Sequence, residues 1–462
     1  MSFRPLDLAI IFAYFGVVVF LGWFKGGRPK DADYLLMGRQ LTMPGFLLSL
    51  VSTWYGGILG SSEYSYSYGL SNWVVFGVPY YVFAGIFALF LAKRAREKYV
   101  ISIPHLIGEN YGVPGRVLSG LLVLLLATPA PYILTIGVLL HFLFGVPLVP
   151  AIIGGAVFSF LYVYRDGLAV IIRTDLFQCT LMYGGYILLF GFAWLEWGSP
   201  LELYEAVSAK SPAHVTLTGG QPMTYILAWF FMASWTLVSP MFHQRVYALR
   251  NEKHARRGIF MAVLMWFVFD FLTTIIGLYA FAHLAELGDA RVSHLSVAET
   301  LLPVGLWGLF ITGIFSVVMS TLDSELFVSG VTLGPDILGR IPRFRRLPDP
   351  VLTRLGMAIV AAASVVFAIY VPSVVDIYFT IGTLAVPGLL LPVLSSAGVF
   401  PRIAPGLVAF HLVAVPGVSS IWYLVSRYNP DLLPPVEAFY PGCLASAAIW
   451  ALGLIQRARA KD

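Results

Sequence analysis

The chain has 462 residues, of which 58% are apolar and 11% are charged, and its mean hydropathy is +0.82. Soluble domains carry about 25% charged residues, so this composition excludes an ordinary soluble fold and indicates a protein embedded in a bilayer. Two cysteines, Cys179 and Cys443, are too few for a disulfide framework. The net charge of +5 would suggest a nucleic-acid partner in a soluble chain, but here the placement of the basic residues indicates membrane topology instead.

Apolar runs bounded by proline, glycine or charged residues mark the predicted membrane spans. A spanning helix needs about 20 predominantly apolar residues. Thirteen runs qualify, near 8–24, 44–69, 72–93, 116–142, 147–164, 174–195, 223–247, 258–283, 298–332, 352–370, 374–397, 404–425 and 436–456. We therefore expect an all-α polytopic membrane protein of about 13 transmembrane helices. The ninth run exceeds one span and is expected to continue into a cytoplasmic helix.

Lysine and arginine positions predict the orientation of these spans. Thirteen spans place the two termini on opposite sides, and cytoplasmic loops are enriched in basic residues. With the C-terminus inside, the cytoplasmic segments run from the group Lys25, Arg28 and Lys30 to the terminal Lys461. Only four of the 29 basic residues then lie outside, namely Arg4, Lys210, Arg291 and Arg427. The sequence therefore predicts a multi-pass protein of the plasma (bacterial inner) membrane, with its N-terminus outside and its C-terminus cytoplasmic.

Ionisable residues at membrane depth are functional candidates, because burying them is costly. The acidic ones are Asp175, Asp270, Asp323 and Glu325, with Glu63 nearer the outer surface. Ser320, Thr321 and Ser324 share one face of a helix, and such oxygen ligands suit a small alkali cation. The alternative is that the hydroxyls bond back to carbonyls of their own helix. Asp270 could hold a substrate amine or a proton, or be satisfied by neighbouring threonines.

Paired glycines interrupt the second apolar run. Gly56 and Gly57 follow Ser52, Thr53, Trp54 and Tyr55 at about the middle of the predicted helix. A break there would expose backbone carbonyls to a cation and a helix N-terminus to an anionic group. Close helix packing through small residues is the alternative explanation.

Seven short motifs follow one another along most of the chain. They are 33–39 (DYLLMGR), 52–57 (STWYGG), 66–70 (YSYGL), Ile103-Pro104 with 110–112 (NYG), Thr174-Asp175 with Gln178, 243–248 (HQRVYA) and 319–324 (MSTLDS). In this order they resemble the motifs of the sodium:solute symporter family. The resemblance implies a leucine-transporter-type fold of two inverted five-helix repeats, with one helix before them and two after.

The family fold implies five segments in this chain. Residues 1–43 would form the extra N-terminal helix and a cytoplasmic loop, and 44–195 the first repeat. An external loop at 196–222 would precede the second repeat at 223–397. Two C-terminal helices and a short cytoplasmic tail would occupy 398–462.

The resemblance also implies the binding residues. The principal sodium site would use carbonyls of Ser52, Tyr55 and Val317 and the hydroxyls of Ser320 and Thr321. A second sodium site, known in some family members, would fall on Asp175, Ser320, Asp323 and Ser324. The substrate pocket would be lined by Trp54, Leu59, Phe76, Met232 and Trp235. Because a sugar needs many hydrogen-bond partners, this apolar and aromatic set favours an organic acid or an amino-acid-like solute.

We therefore predict a sodium-coupled symporter that imports a small organic solute by alternating access. A membrane enzyme is disfavoured because HExxH, CxxC and GxSxG motifs do not occur in the sequence. A sensor built on a transporter core and a proton-coupled carrier remain alternatives. The expected partners are sodium, the solute and the lipid bilayer, with no nucleic acid and no obligate protein partner.

Overall fold

The computed structural model describes residues 4–23, 31–371, 374–434 and 436–460. Its main helices are α1 (Pro5–Trp23), α2 (Met43–Ser52), α3 (Ile58–Tyr68), α4 (Ser71–Glu97), α5 (Ile103–Leu126), α6 (Ala130–Phe144), α7 (Leu148–Asp166), α8 (Leu168–Trp197), α9 (Pro200–Lys210), α10 (Met223–Met232), α11 (Trp235–Val238), α12 (Pro240–Ala248), α13 (Glu252–His283), α14 (Ser293–Leu301), α15 (Leu306–Val331), α16 (Asp349–Tyr370), α17 (Val374–Ser396), α18 (Pro405–Tyr428) and α19 (Phe439–Arg459). Within the described ranges the fold is all helical apart from one isolated bridge between Leu41 and Leu249.

Twelve helical segments in the described part of the chain are long and apolar enough to cross a membrane, and one of them, Met223–Ala248, contains α10, α11 and α12. The second predicted span, 44–69, is not among them and consists of α2 and α3, each too short to span alone. Their separation confirms the break expected at the paired glycines. The prediction of an all-α polytopic membrane protein is thus confirmed, and the predicted number of about thirteen spans agrees approximately with the twelve candidate spans.

The predicted spans differ from the helices in three other places. The fourth run begins earlier, because α5 starts at Ile103, and α5 is separated from α6 by residues 127–129. The ninth run contains two helices, the end of α14 and the long α15, which continues through a π-helical turn over Thr332–Ile337. The seventh run is divided into α10, α11 and α12. Pro240 begins α12, since proline lacks the N–H group that a continuing helix would need.

The two interrupted spans run antiparallel to each other. At one end, the amide of Leu41, just before α2, donates to Ala248 at the end of α12 (3.0 Å). At the other end, the amide of Leu70, just after α3, donates to His214 in the segment preceding α10 (2.8 Å). The start of each interrupted span therefore lies beside the end of the other.

Segments predicted to be cytoplasmic meet at one end of the molecule. Arg116 forms an ion pair with Asp336 (2.7 Å), and Arg354 donates to the carbonyl of Tyr164 (2.9 Å). Arg457 donates to the carbonyl of Arg402 (2.8 Å). Four residues in the basic count, Lys25, Arg28, Lys30 and Lys461, lie outside the described residues.

Helix α15 forms the centre of the bundle and is buried along nearly its whole length. It packs closely against α8 at Gly313. A Cβ atom added to Gly313 would lie only 2.9 Å from the carbonyl oxygen of Leu181. Small residues allow membrane helices to approach in this way. The central position of α15 places its polar segment, 316–325, against the interrupted span of α2 and α3.

Candidate functional site

The site begins at the break between α2 and α3. Thr42 caps α2, whose first turn contains Pro44, and the helix ends at Ser52. Gly56 lies against α15: a Cβ atom at this position would be 2.5 Å from Cβ of Thr321 and 2.5 Å from the ring of Tyr132. Ordinary carbon contacts are about 3.5–4.0 Å, so only glycine lets the broken segment approach α15 this closely.

The break leaves backbone carbonyls available. In the described chain, none of the backbone hydrogen bonds outside regular helices ends on the carbonyl oxygen of Ser52 or Tyr55. Buried carbonyl groups are nearly always paired in proteins, so these two oxygens are candidates for an ion. The Tyr55 hydroxyl is used elsewhere and donates to the carbonyl of Trp266 at 3.1 Å.

Ser320 connects α15 to the break and to α8. Its hydroxyl donates to Oδ1 of Asp175 at 2.6 Å and lies 2.9 Å from Oγ of Ser52. Ser49 in α2 donates to the other carboxylate oxygen of Asp175 at 2.5 Å. All four side chains are fully buried. The result is a continuous group of oxygen atoms contributed by three helices.

The alternative of hydroxyls bonding within their own helix holds for some residues and not for others. Thr321 donates to the carbonyl of Val317 (3.2 Å), and Ser316 donates to that of Thr312 (2.7 Å). Ser320 instead reaches across to neighbouring helices. Thr321 is still close to the break, because its Cβ faces Gly56.

Arg245 contacts this oxygen cluster and is fully buried. Its guanidinium donates to Ser49 (3.0 Å) and Ser324 (2.6 Å) and forms an ion pair with Asp175 (3.5 Å). Its Nη1 atom has no hydrogen-bond partner among the described residues. The motif 243–248 was recognised in the sequence, but the contact of Arg245 with Asp175 was not predicted.

The residues of the predicted second sodium site are only partly together. Ser320 contacts Asp175 directly, whereas Ser324 is linked to it through Arg245. Asp323 points towards α7, where it accepts a hydrogen bond from the hydroxyl of Tyr162.

A cavity of about 130 Å³ lies beside the break. Four of the five predicted pocket residues line it, namely Trp54, Phe76, Met232 and Trp235. The fifth, Leu59, is buried but does not line this cavity in the described structure, whereas its neighbour Ile58 does. Successive residues on a helix point about 100° apart, so a shift of one position is enough to turn the side chain away.

The cavity is less apolar than the sequence suggested. Two carboxylates, Asp270 from α13 and Glu325 from α15, form part of its wall, together with hydroxyl-bearing residues such as Ser61 and Ser239. Both acidic residues were candidates by membrane depth. Their common location could not be deduced from the sequence, because they are 55 positions apart and belong to different helices.

A model of the sodium:solute symporter family matches residues 34–393, well over half of the chain. The chain belongs to the sodium:solute symporter family. Its relatives include the high-affinity proline transporter PutP of Bacillus subtilis, with 24% identity over 76% of this chain and 77% of the relative. The sodium/pantothenate symporter of Haemophilus influenzae is 27% identical over 72% of this chain and 71% of the relative. The sodium/glucose cotransporter of Vibrio parahaemolyticus is 22% identical over 72% and 68%, respectively.

Solved structures of other transporters have the same fold as this chain. A substrate-bound, outward-open Na⁺-coupled sialic acid symporter superposes with a TM-score of 0.79, at 18% identity and with 98% of each chain covered. Mhp1, a transporter of the nucleobase-cation-symport-1 family, superposes with a TM-score of 0.61 at 14% identity, covering 94% of this chain and 96% of Mhp1. The family and the fold identify a multi-pass membrane transporter rather than an enzyme.

Proposed function

We propose that this chain couples the inward movement of sodium to the import of a small organic solute by alternating access. The observation that carries the proposal is the contact of Ser320 with both Ser52 and Asp175, beside a helix break with free carbonyls. This arrangement gathers oxygen ligands of the kind that alkali cations prefer. It also joins α15 to α2, so that an ion bound there would depend on the relative position of the two helices.

In this proposal the principal sodium site consists of the carbonyls of Ser52, Tyr55 and Val317 and the hydroxyls of Ser320 and Thr321. The chemistry of the set fits sodium, since every ligand is a neutral oxygen. The close packing of Gly56 on Thr321 supports the placement, because it brings the carbonyl-bearing segment against the hydroxyl-bearing helix.

A second sodium position is proposed on Asp175 and Ser320, with Asp323 and Ser324 completing it. Asp175 supplies the negative charge, but Arg245 already neutralises part of it. For all four residues to bind one ion, Asp323 would have to leave Tyr162 and Ser324 would have to leave Arg245. This site is therefore expected to be weaker than the principal one.

Residues 44–195 and 223–397 are proposed to be inverted repeats. The two interrupted spans support this division, because each is the first span of its proposed repeat and they run antiparallel. The clustering of basic loops at one end supports a cytoplasmic C-terminus and an external N-terminus. In this arrangement 196–222, which contains α9, is an external loop.

Transport by the full-length protein in proteoliposomes tests this proposal. Solutes are first selected by thermal stabilisation of the purified protein in sodium and in potassium, with organic acids, amino acids and sugars compared. Uptake of a labelled hit should then require an inward sodium gradient and should collapse when potassium replaces sodium. Equal uptake in the two salts would contradict sodium coupling and favour a carrier driven by protons or by solute alone.

A further inference from the structure

Two carboxylates on the cavity wall have no role in the proposed sodium sites. Glu325 is 3% exposed, and its Oε2 atom is buried without a hydrogen-bond partner among the described residues. Asp270 is 6% exposed and accepts a hydrogen bond from the hydroxyl of Tyr81. A buried carboxylate without a partner is costly unless it takes up a proton or a positive charge compensates it.

No hydrogen bond or ion pair in the described structure joins Glu325 to a basic side chain, and the charge of Arg245 acts on Glu325 only from a longer distance. In the described structure, no lysine, arginine or histidine lines the cavity. The nearby buried guanidinium of Arg245 bonds instead to Ser49, Asp175 and Ser324. An anionic solute would therefore meet two carboxylates and no base in this cavity.

Aromatic rings form much of the remaining wall. The indole of Trp54 stacks on Trp266 with ring centres 4.9 Å apart and meets Tyr80 edge-on at 5.4 Å. Further rings in the wall belong to Tyr132, Trp229, Trp235 and Tyr378. The faces of such rings attract ammonium groups, and the attraction is larger when the cation is removed from water.

We infer that the cavity binds a small organic cation, with its ammonium group near Glu325 and Asp270 and its hydrocarbon part against the aromatic rings. The inference rests on the proposed symport function and deepens it by naming the class of solute. Within the predicted range of solutes it favours those that carry an amino or quaternary ammonium group. An organic acid without such a group is disfavoured.

Matched probes separate charge from shape. Choline is compared with dimethylbutanol, in which carbon replaces the charged nitrogen, and propylamine is compared with propanol. Propionate serves as the anionic probe. Binding to the purified full-length chain in sodium is measured by thermal stabilisation and by titration calorimetry. At least one cation should bind about tenfold or more tightly than its neutral partner, and propionate should not bind. Equal binding of the neutral partner, binding of propionate alone, or failure of both cations to bind would overturn the inference.

Variants test the role of Glu325 itself. Glu325→Gln removes the charge at nearly constant size and should weaken cation binding by about tenfold or more, whereas Glu325→Asp should retain part of it. Glu205→Gln, an exposed change in α9, is the matched control and should bind as the native protein does. Unchanged binding by Glu325→Gln would refute the assignment. A variant that fails to fold is recognised by its elution profile, and Asp270→Asn then provides the same test from α13.

The sodium response of the native protein separates the two proposals. If sodium stabilises the protein but cations and neutral partners bind equally, the solute class is wrong and the symport function stands. If cations bind but sodium has no effect on stability, cation binding or uptake, the symport proposal fails while the cation site remains.

Discussion

Replacing Gly56 with alanine should disrupt the contact that joins the broken helix to α15. The added Cβ would lie 2.5 Å from Cβ of Thr321 and 2.5 Å from the ring of Tyr132. Because carbon atoms pack at about 3.5–4.0 Å, one or both sides must move by about 1 Å. Overpacking of this kind costs about 1–3 kcal/mol. If the whole cost falls on the ion-bound state, the apparent sodium affinity drops by about 5-fold to 150-fold.

The assay is a sodium titration of thermal stability for the purified Gly56→Ala variant. Gly191→Ala is the control, because a Cβ at Gly191 in α8 meets no atom within 4 Å. Alanine is favoured over glycine inside a helix by about 1 kcal/mol, so the control should be as stable as the native protein or more stable, with the same sodium midpoint. A Gly56→Ala protein with native stability and a native sodium midpoint would refute the packing argument.

Two further predictions concern the cavity and the buried ion pair. Trp235→Ala leaves a void in the cavity wall and should weaken solute binding at least tenfold, since a binding hot spot contributes about 2 kcal/mol or more. Calorimetry should show that sodium binding is unchanged. A native affinity for the solute would contradict the assignment of Trp235 to the pocket. Asp175→Asn leaves the Arg245 guanidinium buried without its anion, which typically costs about 3–5 kcal/mol. Its melting temperature should therefore fall even without sodium, and its sodium affinity should decrease. A native melting temperature would show that the Arg245 contact is dispensable.

The sequence predicted local features well where a single residue type determines them. The break at Gly56 and Gly57 follows from the conformational freedom of paired glycines, and α2 and α3 are separated there. The break before Pro240 was not predicted, although Ser239-Pro240 is a standard start signal for a helix. The apolar residues on both sides of it were interpreted as one continuous span.

The candidate site depends on contacts between distant segments, which limited its prediction. Membrane depth identified Glu325 and Asp270 as costly residues, but their common cavity requires the packing of α13 against the rest of the bundle. Arg245 belonged to a recognised motif, yet its bond to Ser324 arises only because α12 packs against α15. Ile58, and not the predicted Leu59, lines the cavity because of the rotation of α3 about its axis. An alignment through motifs does not determine that rotation to within one residue.

The most direct test of sodium coupling is removal of the two hydroxyls proposed to bind the ion. Thermal stability of the Ser320→Ala/Thr321→Ala protein is titrated with sodium and with potassium, beside the native protein. The double variant Thr312→Ala/Ser316→Ala is the control, because those two hydroxyls lie on the same helix and bond to carbonyls of Leu309 and Thr312, which are not among the proposed ligands. We expect sodium-specific stabilisation of the native and control proteins and its loss in Ser320→Ala/Thr321→Ala. Retention of the full sodium response in that variant would contradict the proposed sodium site.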